Sequence, residues 1–311
     1  METIKKGEFV LGTLGEIICV AEKATCETAI EKAFREIKKL ENLFSYFSKN
    51  SLVRQLNNAQ GKPISVGEEF FAVIKKAKEI SKKTGGAFDI TISPLLKTWG
   101  FYEKEKPIFS EPHSELIKEK LSLVGSEKII LDEEKKSIVL KDKNMAIDLG
   151  GIAKGYIVDR AVKVMRDEGI KNALVNLGGD IFCLGKGENK SFWRIGIQDP
   201  LNAGRIVGSL KLSDKAVATS GQYENFREIG GKKFGHIIDP RSGYPVETDV
   251  LSVSVVAEDC LTADALATAI FVLGKEKAEP ILKEFRAQAV IITRTGKGRH
   301  LWVSSGLEFS D

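Results

Sequence analysis

The stretch Met145–Asp180, MAIDLGGIAKGYIVDRAVKVMRDEGIKNALVNLGGD, governs how this chain is read. A short apolar run ends at Asp148 and meets the glycine pair Gly150-Gly151. Ile152, Tyr156, Val158, Ala161, Val162 and Met165 follow as the buried positions of an amphipathic helix, and Gly169 is a reasonable stop for it. A second apolar run, Ala173 to Leu177, leads to Gly178-Gly179 and Asp180. The pattern is strand, glycine turn, helix, strand. A glycine turn feeding a helix suits the close approach of phosphate, because free N–H groups and the helix dipole point that way. An ordinary β-α-β crossover with no ligand accounts for the same pattern, and both readings stand on this stretch alone.

Upstream, Phe9 to Val20 reads as two strands broken near Gly12 to Gly15. Thr25 caps a helix running to about Phe47, with Ile30, Phe34, Ile37, Leu40, Phe44 and Phe47 at helical spacing. These aromatics are core residues, except that Phe47, where the helix gives way to SKNS, is placed to line a pocket mouth. Ser65 to Thr84 is a second amphipathic helix closed by Gly85-Gly86. In AFDITISPLLKTWGF, Ala87 to Phe101, Pro94 and Gly100 argue for an extended segment with a turn. Asp89 stands alone there among apolar residues, so it must find hydrogen bonds or neutralise; capping a local turn is the simplest way. A helix from about Pro112 carries His113 on the surface, and Lys128–Leu131 with Ser137–Leu140 form a hairpin.

Downstream, 192–198, 206–212, 216–226 and 250–257 read as strands, the third ending in a polar turn, and 226–238 as a hairpin across Gly230-Gly231. Thr262 to Leu273 and Glu276 to Phe285 read as helices, and two strands close the chain, with His300 a structural residue in the last. Helices mixed with hairpins argue for an α+β fold rather than a doubly wound sheet.

The 311 residues allow one large domain or two interleaved halves. A hydrophobic content of 42% with 29% charged residues is that of a globular protein, and a net charge of +4 over this length is too dilute to argue for nucleic acid. Cys19, Cys26, Cys183 and Cys260 show no CxxC or zinc spacing and are read as buried thiols. No run approaches the roughly 18 apolar residues of a membrane span. The first residues carry no signal-peptide core, which points to the cytoplasm for the chain as given.

Asp264 and Thr268 are four apart on a helix and share a face that is otherwise apolar. Two oxygen donors one turn apart suit a hard cation such as Mg²⁺. A first-turn acid favoured by the helix dipole, with a threonine bonding its own backbone, gives the same spacing. His236, in GHIIDPRSGYP, titrates near neutrality and so suits a general base, or bonds a backbone carbonyl. Arg241 is placed to pair with phosphate or with Asp239.

Six segments in order, FDITISPLLKTWGF, IDLGGIAKGYIVDRA, NALVNLGGDI, ATSGQYENF, HIIDPRSGYPV and TADALATA, resemble the blocks of the ApbE family, the FAD:protein FMN transferases. The resemblance spans about Phe9 to Gly274. It implies an α+β fold in which residues 1–311 form one domain of two interleaved T-fold-like subdomains related by duplication. It implies an Mg²⁺-dependent enzyme that takes FAD as substrate. The FMN half would pass to a Thr or Ser hydroxyl of an acceptor flavoprotein, such as a subunit of a redox-driven ion pump, with release of AMP. By motif position, the Gly151 carbonyl and the side chains of Asp264 and Thr268 would hold the metal, and His236 would be the base. Leu11, Phe47, Ala87, Phe88, Asp89, Asp148 and Lys154 would meet FAD; Leu11 and Phe47 depart from the Met and Tyr common in the family. The family habit of an N-terminal lipoprotein signal implies the outer face of the cell membrane instead. An FAD pyrophosphatase using water and a non-catalytic FAD-binding protein are the competing readings. Storage of FAD needs no combination of Asp264, Thr268 and His236.

Overall fold

The computed structural model describes residues 2–103, 110–187, 191–221, 226–296 and 298–310. Among these, eight strands form one sheet in the order β1 (Glu2–Val10), β2 (Thr13–Ala21), β6 (Ala173–Leu177), β7 (Asp180–Leu184), β10 (Lys215–Gly221), β13 (Val250–Ala257), β14 (Gln288–Thr295) and β15 (Gly298–Val303). Every neighbouring pair is antiparallel. One face carries the long helices α1 (Lys23–Phe44), α6 (Ala153–Asp167) and α7 (Cys260–Leu273). The other is covered by a three-stranded sheet of β16 (Phe309–Ser310), β9 (Ile206–Leu212) and β8 (Trp193–Gln198). The α+β expectation holds.

Smaller elements close the helical side. These are α2 (Leu52–Asn57), α3 (Glu68–Lys83), α4 (Ser93–Thr98), α5 (Ser114–Leu121) and α8 (Ala278–Glu284). A small sheet joins β3 (Ile64–Ser65), β5 (Ser137–Leu140) and β4 (Ile129–Asp132), and β11 (Phe226–Ile229) pairs with β12 (Lys232–Gly235). No described helix is long and apolar enough to cross a membrane.

The alternation along the strands explains the two layers. On β8, Trp193, Ile195 and Ile197 are buried while Arg194, Gly196 and Gln198 are exposed, so one face of the strand seals the sandwich. The helix α7 is apolar nearly all round because it lies between the sheet and α6. Leu266, Ile270 and Phe271 are fully buried there, each contributing about 1.5–3 kcal/mol relative to an exposed side chain.

Several sequence expectations are corrected. Met145–Leu149 is not a strand. Its backbone is gripped by a side chain instead: Asn57 Nδ2 donates to the Ile147 carbonyl at 2.9 Å, and the Ile147 N–H donates to Asn57 Oδ1 at 2.7 Å. The β-α-β reading therefore falls. Instead β6 and β7 make an antiparallel hairpin over Gly178-Gly179. Ala87–Phe101 is not extended. Asp89 starts a 3₁₀ turn at Ile90–Ile92, and α4 follows with Pro94 in its first turn, where a missing N–H costs nothing. The helix α1 stops at Phe44, short of Phe47.

Nor are all the cysteines thiols. Cys19 on β2 and Cys26 on α1 form a disulfide, because the chain reverses between them and brings their Cα atoms to 5.8 Å. Cys183 and Cys260 are buried and free, as expected. His300 is exposed on the edge strand β15, and β16 follows it. The expected polar turn at Gln222–Asn225 lies outside the described residues.

Two outcomes test this packing. A methyl group at Gly155 would collide with the Cys260 carbonyl oxygen and stand 2.9 Å from Asp264 Cβ, so Gly155→Ala should lower stability by about 1–3 kcal/mol in urea unfolding. A midpoint equal to the wild type would show that α6 and α7 are not in this contact. Peptide mapping of alkylated, unreduced protein should recover Cys19 linked to Cys26 and both other cysteines alkylated once unfolded. Given the short separation of 7, the bond should stabilise by roughly 2–3 kcal/mol.

Candidate active site

A cavity of about 380 Å³ opens at one end of the sheet, where α6 and α7 meet the ends of β6, β10 and β12. It is the size of a small-molecule site. Ala87, Phe88, Asp89, Asp148, Gly151, Lys154, His236, Asp264 and Thr268 all line it. The sequence spreads these residues over four segments, and the fold collects them.

Two helices bring most of the polar groups. The α6 N-terminus presents Gly151 and Lys154, and α7 presents Asp264 and Thr268 one turn apart. The helices cross at Gly155, whose N–H donates to Asp264 Oδ2 at 3.1 Å. Thr268 Oγ1 shares a hydrogen bond of 3.1 Å with Ser220 Oγ at the end of β10. A side chain at Gly151 would stand 3.3 Å from Thr268 Oγ1 and 3.4 Å from the Phe88 ring, which measures how near the Gly151 backbone lies to that hydroxyl. The expectation that Thr268 merely bonds its own backbone is not what the structure shows.

Charge in this wall is concentrated and buried. Lys154 Nζ pairs with Asp180 Oδ1 at 2.9 Å, while Asp180 Oδ2 is buried and has no hydrogen-bond partner among the described residues. Burial, then the neighbouring Asp180, push Asp264 well above the ordinary carboxylate range. Burial works against the charge on Lys154, but Asp180 and Asp264 outweigh it and hold its ammonium above the ordinary value.

The opposite wall is anchored by Asp148. Its Oδ1 accepts the Gly150 N–H at 2.7 Å and its Oδ2 accepts the Tyr102 hydroxyl at 2.8 Å. Burial raises its carboxyl, against Gly150, Tyr102 and the nearby His236, which favour the charged form. His236 follows β12 and faces the cavity with Ile237 and Ile238. Asp89 accepts from Ser81 Oγ, the Thr91 N–H and hydroxyl, and the Ser126 N–H, so it is the turn-capping residue that its lone position suggested. Arg241 does not line this cavity; it is held by Asp239 through Nε at 2.8 Å and Nη2 at 2.7 Å.

Two expected residues stand outside the cavity wall. Leu11 sits at the β1–β2 turn with φ of 55°, its N–H donating to Glu41 Oε1 at 2.8 Å. Phe47 is 73% exposed, with its ring edge-on to Tyr46 and Tyr102. The stacked rings of Tyr46 and Tyr102, with centroids 3.9 Å apart, connect Phe47 to Asp148.

Sequence reasoning missed Asp180, Ser220, Tyr102 and Asp159. Asp159 accepts the Cys260 and Leu261 N–H groups at 2.8 and 2.9 Å and so caps α7 from α6, while burial pushes its carboxyl up to about 7. Asp180 closes the NLGGD run and Ser220 lies in ATSGQ, so both stood in segments already singled out; nothing local marked their partners.

Comparison with known proteins places the chain among its relatives. The model of the ApbE family matches residues 11–292. A Klebsiella pneumoniae (strain 342) protein named FAD:protein FMN transferase is 37% identical, over 90% of this chain and 85% of its own length. Its namesake from Haemophilus influenzae is 33% identical, over 88% of this chain and 81% of its own. Among solved structures, the ApbE protein of Thermotoga maritima superposes with a TM-score of 0.88 at 33% identity, covering 98% of this chain and 97% of that one. The flavin transferase ApbE from Vibrio cholerae gives 0.87 at 28% identity, with the same coverage. With the family model matched over residues 11–292 and its sequence and fold shared with these proteins, the chain belongs to the ApbE family.

Proposed function

We propose that this protein is an FAD:protein FMN transferase. It moves the FMN half of FAD onto a Thr or Ser hydroxyl of an acceptor flavoprotein, making a phosphoester and releasing AMP. The observation that carries this reading is the convergence of Gly151, Lys154, Asp264, Thr268 and His236 on one cavity, in a chain whose relatives bear that name.

The residues present fit Mg²⁺. The Gly151 carbonyl, an Asp264 carboxylate oxygen and the Thr268 hydroxyl are the hard oxygen donors that such an ion takes. With Asp180 Oδ2 buried and orphaned and Lys154 as the nearby cation, ionisation of the buried Asp264 would leave an excess of negative charge that a divalent cation would balance. When bound, Mg²⁺ would supply charge neutralisation for the pyrophosphate.

The protein's own groups account for the rest. Lys154 would provide a positive charge for a pyrophosphate bound in this cavity, and the α6 N-terminus favours an anion there. Phe88 and Ala87 supply apolar wall. A hydroxyl is a weak nucleophile at neutral pH, so His236 accepts its proton. The hydroxyl oxygen then bonds to the FMN phosphorus while the bond from that phosphorus to the bridging oxygen breaks. The bridging oxygen leaves with AMP. Positioning and charge do most of this work, as in other phosphoryl transfers. The Cys19–Cys26 disulfide supports an oxidising compartment, and with it the outer face of the membrane rather than the cytoplasm.

The test is incubation with FAD, Mg²⁺ and a redox-pump subunit from the same cell, followed by intact-mass measurement. The subunit should gain the mass of FMN less water. Free FMN and AMP with an unmodified subunit would instead establish the pyrophosphatase, and tight FAD binding without AMP would establish a carrier.

Two variants separate metal from base. Asp264→Ala should abolish Mg²⁺ binding in calorimetric titration of FAD-loaded protein and stop turnover, with Thr268→Ala milder; unchanged Mg²⁺ affinity would discard this metal site. His236→Ala should keep FAD and Mg²⁺ affinity while single-turnover transfer falls by roughly 10²–10⁴. The wild-type rate should fall at acid pH as the imidazole becomes charged, and the variant should lose that limb. A His236→Ala enzyme that transfers at the wild-type rate would remove His236 from the chemistry.

A further inference from the structure

Asp180 lies behind the cavity wall rather than in it. Lys154 and Gly178 line the cavity, whereas Asp180 is 1% exposed and does not. The backbone fixes its place. Gly178 and Gly179 both have positive φ, 57° and 96°, and make the tight turn between β6 and β7. Asp180 is the first residue of β7, opposite Leu177, and β7 runs inside the sheet between β6 and β10. Its carboxylate therefore leaves a rigid strand and meets the first turn of α6, where Lys154 stands.

Lys154 is the opposite kind of group. Its ammonium sits on a flexible four-carbon stem and carries three hydrogens. The side chain is 29% exposed, and its pair with Asp180 Oδ1, at 2.9 Å, leaves hydrogens for a further acceptor. Two carboxylates act on that ammonium, Asp180 and Asp264. Held on Asp180, it is kept from closing on Asp264, which is assigned to Mg²⁺ above.

Stability does not account for the pair. Asp180 Oδ2 is buried with no hydrogen-bond partner among the described residues, a cost that a residue placed for stability alone would not carry. A buried ion pair adds little in any case, since lost hydration offsets the attraction. Such a pair supplies placement: a charge at the end of a flexible stem is tied to one point on the sheet.

We propose that Asp180 is a positioning residue for Lys154: it fixes the ammonium at the cavity wall, where it selects a ligand that carries phosphate, and touches no ligand itself. This rests on the reading of the cavity as an FAD site given above. Without Asp180 the lysine keeps its charge but loses its place, and the phosphate-bearing part of the ligand loses a partner. The ring system of the ligand is unaffected.

The experiment compares FAD with riboflavin, which has the same ring system and no phosphate, by titration of the full chain at saturating Mg²⁺. In Asp180→Asn the Kd for FAD should rise roughly tenfold, while that for riboflavin keeps its wild-type value. The direction is diagnostic. Deleting a negative charge near a phosphate would, through charge alone, tighten FAD binding, so weaker binding reports a misplaced ammonium. FAD affinity equal to or above that of the wild type overturns the proposal. A proportionate loss for both ligands, as a damaged fold would give, overturns it too. Lys154→Gln and the double variant complete the cycle. With the ammonium gone, adding Asp180→Asn should weaken FAD binding no further, and a further loss overturns the proposal. The double variant buries a neutral amide pair, so this comparison decides even where Asp180→Asn alone does not fold. A wild-type protein that binds riboflavin as tightly as FAD overturns the reading of the cavity itself, an outcome visible before any variant is compared.

Discussion

The crossing of α6 over α7 at Gly155 is the contact on which the cavity depends. Gly155 has no side chain, so the Cys260 carbonyl can lie against it, and its N–H reaches Asp264 at 3.1 Å. One turn further along α6, Asp159 takes the first two N–H groups of α7, and Asp259 takes the Thr262 N–H. The N-terminus of α7 is thus satisfied from a neighbouring helix as well as by its own cap. Gly151 and Lys154 precede the crossing, and Asp264 and Thr268 follow it. A shift of one helix against the other would part the oxygen donors from the lysine.

Electrostatics explain why these groups are held so firmly. Asp264 and Asp180 share a buried region with Lys154, and Asp180 disfavours ionisation of Asp264. Such an arrangement is costly for a resting protein. Asp148 across the cavity is treated differently, since Gly150 and Tyr102 both donate to it and His236 lies near. The aromatic stack behind Tyr102 keeps that wall in place.

The layered architecture sets what can approach from where. Helices cover one face of the eight-stranded sheet and a three-stranded sheet covers the other, so the cavity opens at the strand ends. In antiparallel strands, successive residues point to opposite faces. Ser220 and Thr219 are neighbours in the chain, yet one bonds Thr268 in the cavity wall and the other bonds Ser254 Oγ on β13.

Much of the protein was legible in its residues alone. Apolar periodicity marked α1, α3 and α6, an apolar run marked α7, glycine pairs marked the turns, and the one-turn spacing of Asp264 and Thr268 placed two oxygens on one helical face. These are local signals, and helices and hairpins are governed by local geometry. Local signals misled where side chains from elsewhere override propensity. Asn57 holds Met145–Leu149 extended without a strand partner, and Asp89 turns a segment with a proline into a helix start. The pairing of Lys154 with Asp180, the capping of α7 by Asp159, the Cys19–Cys26 bond and the place of Asp148 beside Tyr102 were decided only by the tertiary structure. Sequence determined which groups the chain carries and which faces they share. Three-dimensional packing alone decided which charges meet, because a buried charge is matched by whatever the fold brings within a few ångströms, however far away that residue lies along the chain.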